Sequence, residues 1–96
     1  MRDNQNTTVI KSEEIENDGI SYKYELAYFN SGSLASFEIP LYGITVKLEK
    51  EKESSFYKTG GLFTDLSKAI RFFELIKKSF ATPYDLPYVI EDHIFF

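Results

Sequence analysis

Residues 67–80 read SKAIRFFELIKKSF, and the spacing of the apolar side chains in this stretch decides how the rest of the chain is arranged. At about 100° per residue, Ala69, Phe73, Ile76 and Phe80 fall on one side of a helix, with Ile70 and Phe72 beside them. Lys68, Arg71 and Lys78 lie opposite. Such a helix has one apolar stripe to bury, and the segments before it alternate instead of repeating at helical spacing. A sheet laid against the stripe is the expected solution. Leu75 fits worst. It sits among the cations, about 100° from the centre of the stripe, so a second contact is expected for it, with a following helix or with another protein.

Working back toward the N-terminus, Gly60-Gly61 turns the chain into the helix from a short strand, SSFYKT, at 54–59. Thr64 and Ser67 both offer a capping hydroxyl, which places the helix start near Asp65 or Ser67. The run EKEKE at 49–53 is a solvated charge segment where one strand ends. Residues 34–50 are extended, with Phe37, Ile39 and Leu41 on one register and Ile44, Val46 and Leu48 on the other. Pro40 and Gly43 lie between; proline removes a ladder donor and a strand glycine often marks a bulge, which leaves either one bent strand or two short ones. Residues 20–29 form the clearest strand: Ile20, Tyr22, Tyr24, Leu26 and Tyr28 alternate with smaller or charged residues. Asn17-Asp18-Gly19 before them supplies the residues of a tight hairpin. Thr8, Val9, Ile10 and Ile15 alternate poorly and suit an edge strand over 7–16. Residues 1–6 are polar and expected to fray.

Past the central helix, Thr82-Pro83-Tyr84-Asp85 has the form of a second helix start, with a hydroxyl cap, proline in the first position and a carboxylate in the third. Leu86, Val89, Ile90, His93 and Ile94 then repeat at helical spacing. The expected fold is α+β: a small, mainly antiparallel sheet of three to four strands followed by two C-terminal helices, β-β-β-β-α-α, in a single domain over residues 1–96.

Composition narrows the possible chemistry. Hydrophobic residues make up 43% of the 96, enough for a packed core. With no cysteine, disulfides, thiolate catalysis and the common structural zinc sites are all excluded. A net charge of −4 with no Lys/Arg-rich block argues against general affinity for a phosphate backbone. No apolar run approaches the roughly 20 residues of a membrane span, and the N-terminus lacks a signal-peptide core. A cytoplasmic protein that does not enter membranes is expected.

The candidate chemistry is sparse. Lys58-Thr59-Gly60-Gly61 has its glycines after the lysine, where a phosphate loop has them before. His93 is the single histidine; as a base or metal ligand it would need partners, and Glu91 and Asp92 point in other helical directions. Tyr22, Tyr24, Tyr28, Tyr42 and Tyr57 all fall in strands, where cross-strand packing is the expected role. Asp85, Tyr88 and Asp92 share one face of the last helix, an acidic stripe around an aromatic that suits a basic partner. As a plain solvated face it would need no partner, with Asp85 serving the helix dipole.

From YGITVKLEK through the glycine turn to DLSKAIRFFELI and TPYDLPYVIEDHI, the chain resembles a group of short, uncharacterised proteins of Gram-positive bacteria. Those have an extended YGI-x-V segment, a capped helix and a closing Thr-Pro…Leu…Val-x-Glu-Asp signature. The resemblance covers about the second half of the chain, implies the fold already derived, and brings no activity with it.

The leading functional expectation is a small non-catalytic interaction protein, a regulator, adaptor or inhibitor of a protein partner, with Asp85, Tyr88, Asp92 and Leu75 as the partner-binding residues. No catalytic residue, cofactor or metal is assigned, and a homo-oligomer is compatible. One form of this expectation is a mobile-element-encoded inhibitor that covers the basic groove of a nucleic-acid-binding enzyme. Two alternatives come from other classes: a single-stranded nucleic-acid binder using the sheet tyrosines, and a small enzyme using His93 or a carboxylate such as Glu91.

Overall fold

The computed structural model describes residues 7–30 and 40–94. Four strands, β1 (Thr7–Asn17), β2 (Ile20–Asn30), β3 (Pro40–Lys50) and β4 (Glu53–Lys58), precede two helices, α1 (Leu66–Lys78) and α2 (Leu86–Ile94). The strands form one antiparallel sheet in the order β1-β2-β3-β4, each paired with its neighbour in sequence. This is the expected α+β arrangement.

Asp18 and Gly19 both take positive φ, 57° and 76°, which matches the twist of a two-residue hairpin between β1 and β2. The β3–β4 turn is equally tight, and Glu51 takes positive φ at its tip. Alternation along β2 and β3 puts Tyr22, Tyr24, Leu26, Ile44 and Val46 on one face, all buried. Ala69, Phe72, Phe73 and Ile76 of α1 close over that face, and Leu86 and Ile90 of α2 complete the same core. The other face of the sheet carries Lys23, Glu25, Thr45, Lys47, Glu49, Phe56 and Lys58 and has no layer of described residues over it.

Several expectations are corrected. The β2–β3 register runs unbroken from Ser21↔Glu49 to Asn30↔Pro40, so Pro40–Lys50 is one strand with no bulge at Gly43. The change of hydrophobic phase is a change of face: Leu41 lies on the open side, and Ile44, Val46 and Leu48 lie on the core side. Residues 34–39, including Phe37 and Ile39, are outside the described part. Glycine is needed at 43 for a different reason. A Cβ there would come 2.5 Å from the Gly60 carbonyl oxygen and 2.8 Å from Phe29 Cε2.

The sheet's irregularity is instead in β1, whose register shifts between Val9 and Lys11. Poor alternation there has a second cause: Lys11 and Glu13 point to the helix side, where they meet Glu74 and Lys77 of α1.

Helix α1 is capped by Asp65, not by Thr64 or Ser67. The Asp65 carboxylate accepts from the Ser67 N–H at 2.8 Å. At the other end the helix stops two residues before Phe80, which adopts φ 55° just past the Ser79 cap. The Ala81 N–H donates to the Ile76 carbonyl at 3.0 Å and the Phe80 N–H to that of Lys77 at 3.3 Å. This is the hydrogen-bond pattern of a Schellman ending, with phenylalanine where glycine is usual. Phe80 is therefore not on the buried helical stripe, although its ring reaches Tyr22 edge-on at 5.5 Å.

Candidate functional site

The start of α2 forms as its residue types dictate. The Asp85 carboxylate accepts from both the N–H and the hydroxyl of Thr82, each at 3.0 Å, and the Asp85 N–H donates back to the Thr82 hydroxyl at 3.3 Å. This reciprocal box fixes the first turn after Thr82. Pro83, Leu86 and Ile90 are buried and Val89 is half-buried, so one side of this segment is committed to the core.

The side left over carries Tyr84, Asp85, Tyr88, Glu91 and Asp92, all exposed. At 100° per residue they occupy an arc of about 120°. Tyr84 and Tyr88, four residues apart, expose 72% and 70% of their surface. No lysine or arginine occurs between Ser79 and the C-terminus, so the tyrosines have only carboxylates as charged neighbours along the chain. Tyrosine rings bury much area at low entropic cost and offer a hydroxyl, and flanking carboxylates favour lysine- and arginine-bearing surfaces.

Three of the four sequence-derived candidates thus share one surface. Asp85, Tyr88 and Asp92 all face outward, although Asp85 also holds the helix cap. The fourth does not join them. Leu75, 37% exposed, lies on α1 in the same arc as Lys68, Arg71 and Lys78. Tyr84 was not picked out from the sequence, where it falls inside the helix-start motif; its spacing of four from Tyr88 was the available signal.

The sheet tyrosines are placed against the stacking role. Tyr22, Tyr24, Tyr28, Tyr42 and Tyr57 all point to the helix-covered face, where Tyr28 and Tyr42 pack across strands with centroids 5.6 Å apart. The side chain of His93 lies outside the described part, as do Phe95 and Phe96. Among the described residues no group of three or more His, Cys, Asp or Glu is placed to hold a metal ion. No helix among the described residues is long and apolar enough to cross a membrane.

The most connected charged cluster among the described residues is on the flank of α1. Lys77 reaches Glu13 at 2.9 Å and Glu74 at 3.0 Å, and Lys11 approaches Glu74 at 3.6 Å. Both ammonium groups lie over the Phe73 ring, at 5.6 and 5.8 Å from its centroid. The hydrogen bond from Lys77 holds the Glu74 carboxyl below its ordinary value, and hydrogen bonds to Glu13 and Glu74 hold the Lys77 ammonium above its own. Every member is satisfied by another. The cluster seals the β1–α1 seam.

A family model described as a family of unknown function, DUF6514, matches residues 4–95. The chain belongs to this family. The match takes in β1 and β2 as well as the second half of the chain, so it is wider than the resemblance read from residues 42–94. No curated protein matches, and no solved structure matches.

Proposed function

We propose that this protein is a small non-catalytic interaction module that regulates, recruits or inhibits a protein partner through the outer face of α2. The observation that carries the reading is the pair Tyr84, in the turn that leads into α2, and Tyr88 on α2, each about 70% exposed on a segment whose other side is buried. Asp85, Glu91 and Asp92 around them select a partner surface rich in lysine or arginine. A protein of net charge −4 fits a role in covering the basic groove of a nucleic-acid-binding enzyme, in the cytoplasm of a Gram-positive bacterium. Because exposed charges across an interface act mainly on association rate, binding should weaken as salt rises.

The test is affinity capture from a bacterial lysate with the wild-type protein and with the double variant Tyr84→Ala/Tyr88→Ala. A stoichiometric partner that is retained by the wild type and lost by the double variant, with both proteins equally folded, supports the reading. Retention by the double variant, or no stoichiometric protein at all, overturns it. Leu75→Asp maps the second surface: loss of the same partner would extend the contact onto α1.

A further inference from the structure

Among the described residues the sheet has two unpaired edges, β1 and β4, and they are built differently. β1 is long, but its ladder is interrupted between Val9 and Lys11, two charged side chains point inward from it, and Glu13, Glu14 and Glu16 make it acidic. Bulges and inward charges protect an edge from pairing, and a second copy of β1 alongside would set carboxylates against carboxylates. β4 has none of these devices. Its sequence, ESSFYK, has balanced charge, an unbroken register with β3, no proline, and a phenylalanine that is 66% exposed.

The register also says which backbone groups β4 offers. In the two-residue Glu51-Lys52 turn, Lys50 and Glu53 are the hydrogen-bonded pair. The Thr59 N–H donates to the Ile44 carbonyl at 2.9 Å, in the same phase. Glu53, Ser55 and Tyr57 therefore bond inward to β3, while the N–H and C=O of Ser54, Phe56 and Lys58 point outward, without a partner among the described residues. An antiparallel copy placed with Phe56 opposite Phe56 satisfies all of them.

We propose that the β4 edge is a self-association surface. Two copies pair about a two-fold axis at Phe56 and join their sheets into one continuous sheet of eight strands. The side chains agree with this axis. On the open face the row through the axis reads Lys47, Phe56, then Phe56 and Lys47 of the second copy, an aromatic pair with a cation at each end. The adjacent row reads Glu49, Ser54, then Lys58 and Thr45 of the second copy. Strands lie about 4.8 Å apart, so a lysine can reach over the small Ser54 to the Glu49 carboxylate. Neither Glu49 nor Lys58 has an ion-pair partner among the described residues. A six-residue edge buries less than the roughly 1,200–2,000 Å² of a standard interface, so the dimer is reversible, with a Kd in the micromolar to millimolar range. The α2 face is not used by this contact.

Sedimentation velocity on the full chain across that concentration range is the test. The wild type should shift toward twice the monomer mass, and Phe56→Lys, which sets like charges opposite each other, should associate roughly tenfold more weakly or worse. Phe56→Glu should do the same. An equimolar mixture of the two variants should restore the dimer, because only an axis through residue 56 makes them complementary. Unchanged circular dichroism and melting confirm that each variant is folded. A wild type that stays monomeric to millimolar concentration overturns the proposal, as does a dimer that survives Phe56→Lys or a mixture that fails to reassociate.

Discussion

The Tyr24 hydroxyl, in the middle of β2, donates a buried 2.9 Å hydrogen bond to the carbonyl of Ala81, in the turn between the two helices. Fifty-seven positions separate the two residues, and the bond ties the centre of the sheet to the point where the chain leaves α1. Ala81 is itself fixed by its N–H to Ile76. Burial pushes the Tyr24 phenol well above its ordinary value of 10.0, with the negative charges of ionised Tyr22 and of Asp85 adding to the shift.

Two outcomes follow for Tyr24→Phe. Leaving the Ala81 carbonyl without its donor should cost about 1–2 kcal/mol in denaturant titration. The second outcome is read at high pH. Above about pH 10 the unfolded phenol ionises while the folded one keeps its proton, so stability conferred by Tyr24 is complete below pH 10 and is lost as pH rises beyond it. The variant should show a shallower alkaline decline than the wild type. An identical decline would place the titration elsewhere.

The Glu74 and Lys77 pairing predicts the opposite dependence in acid. A carboxyl held below its ordinary value of 4.5 stabilises the folded state above that pH and ceases to do so as pH falls through the folded-state value. Glu74→Gln should therefore melt slightly lower than wild type at neutral pH and converge with it in acid. Raised salt should shrink the neutral difference, because the Glu74 side of the pair is open to solvent.

Phe80 occupies a left-handed backbone position where a Cβ is unfavourable. Replacing it with alanine or glycine removes the same ring contact with Tyr22, so the difference between the two variants isolates the backbone. Phe80→Gly should be more stable than Phe80→Ala by about 1 kcal/mol. Equal stability would mean that the position relaxes out of the left-handed region when the ring is gone.

Gly43 and Gly60 form a similar pair. Gly43→Ala puts a methyl group 2.5 Å from the Gly60 carbonyl oxygen and should destabilise by about 1–3 kcal/mol. Gly60→Ala meets nothing within 4 Å and should change the unfolding midpoint little, or raise it through the entropy of the unfolded chain. Chemical denaturation of both variants, side by side, checks the close approach of the β4–α1 connection to β3.

Where the sequence was readable, the interactions are local. The α1 stripe, the Asp18-Gly19 hairpin and the Thr82–Asp85 box each depend on residues within four positions of one another, so backbone geometry alone makes them legible. The outward face of α2 follows from the same periodicity, and with it the placement of Asp85, Tyr88 and Asp92. The tight hairpin between β1 and β2 was legible too, whereas the pairing of β2 with β3 across residues 31–39 came from the structure. What only the tertiary structure decided involves partners far apart in the chain. Lys11 and Glu13 look misplaced on a strand until Glu74 and Lys77 come across from α1. Gly43 resembles a bulge until the Gly60 carbonyl arrives against it. Phe80 continues the helical stripe on paper, yet the turn that lets Ala81 meet Tyr24 takes it out of the helix. Sequence spacing encodes which side of an element is apolar. Which element comes to lie against it is set by packing, because burial and hydrogen-bond satisfaction are properties of the assembled core.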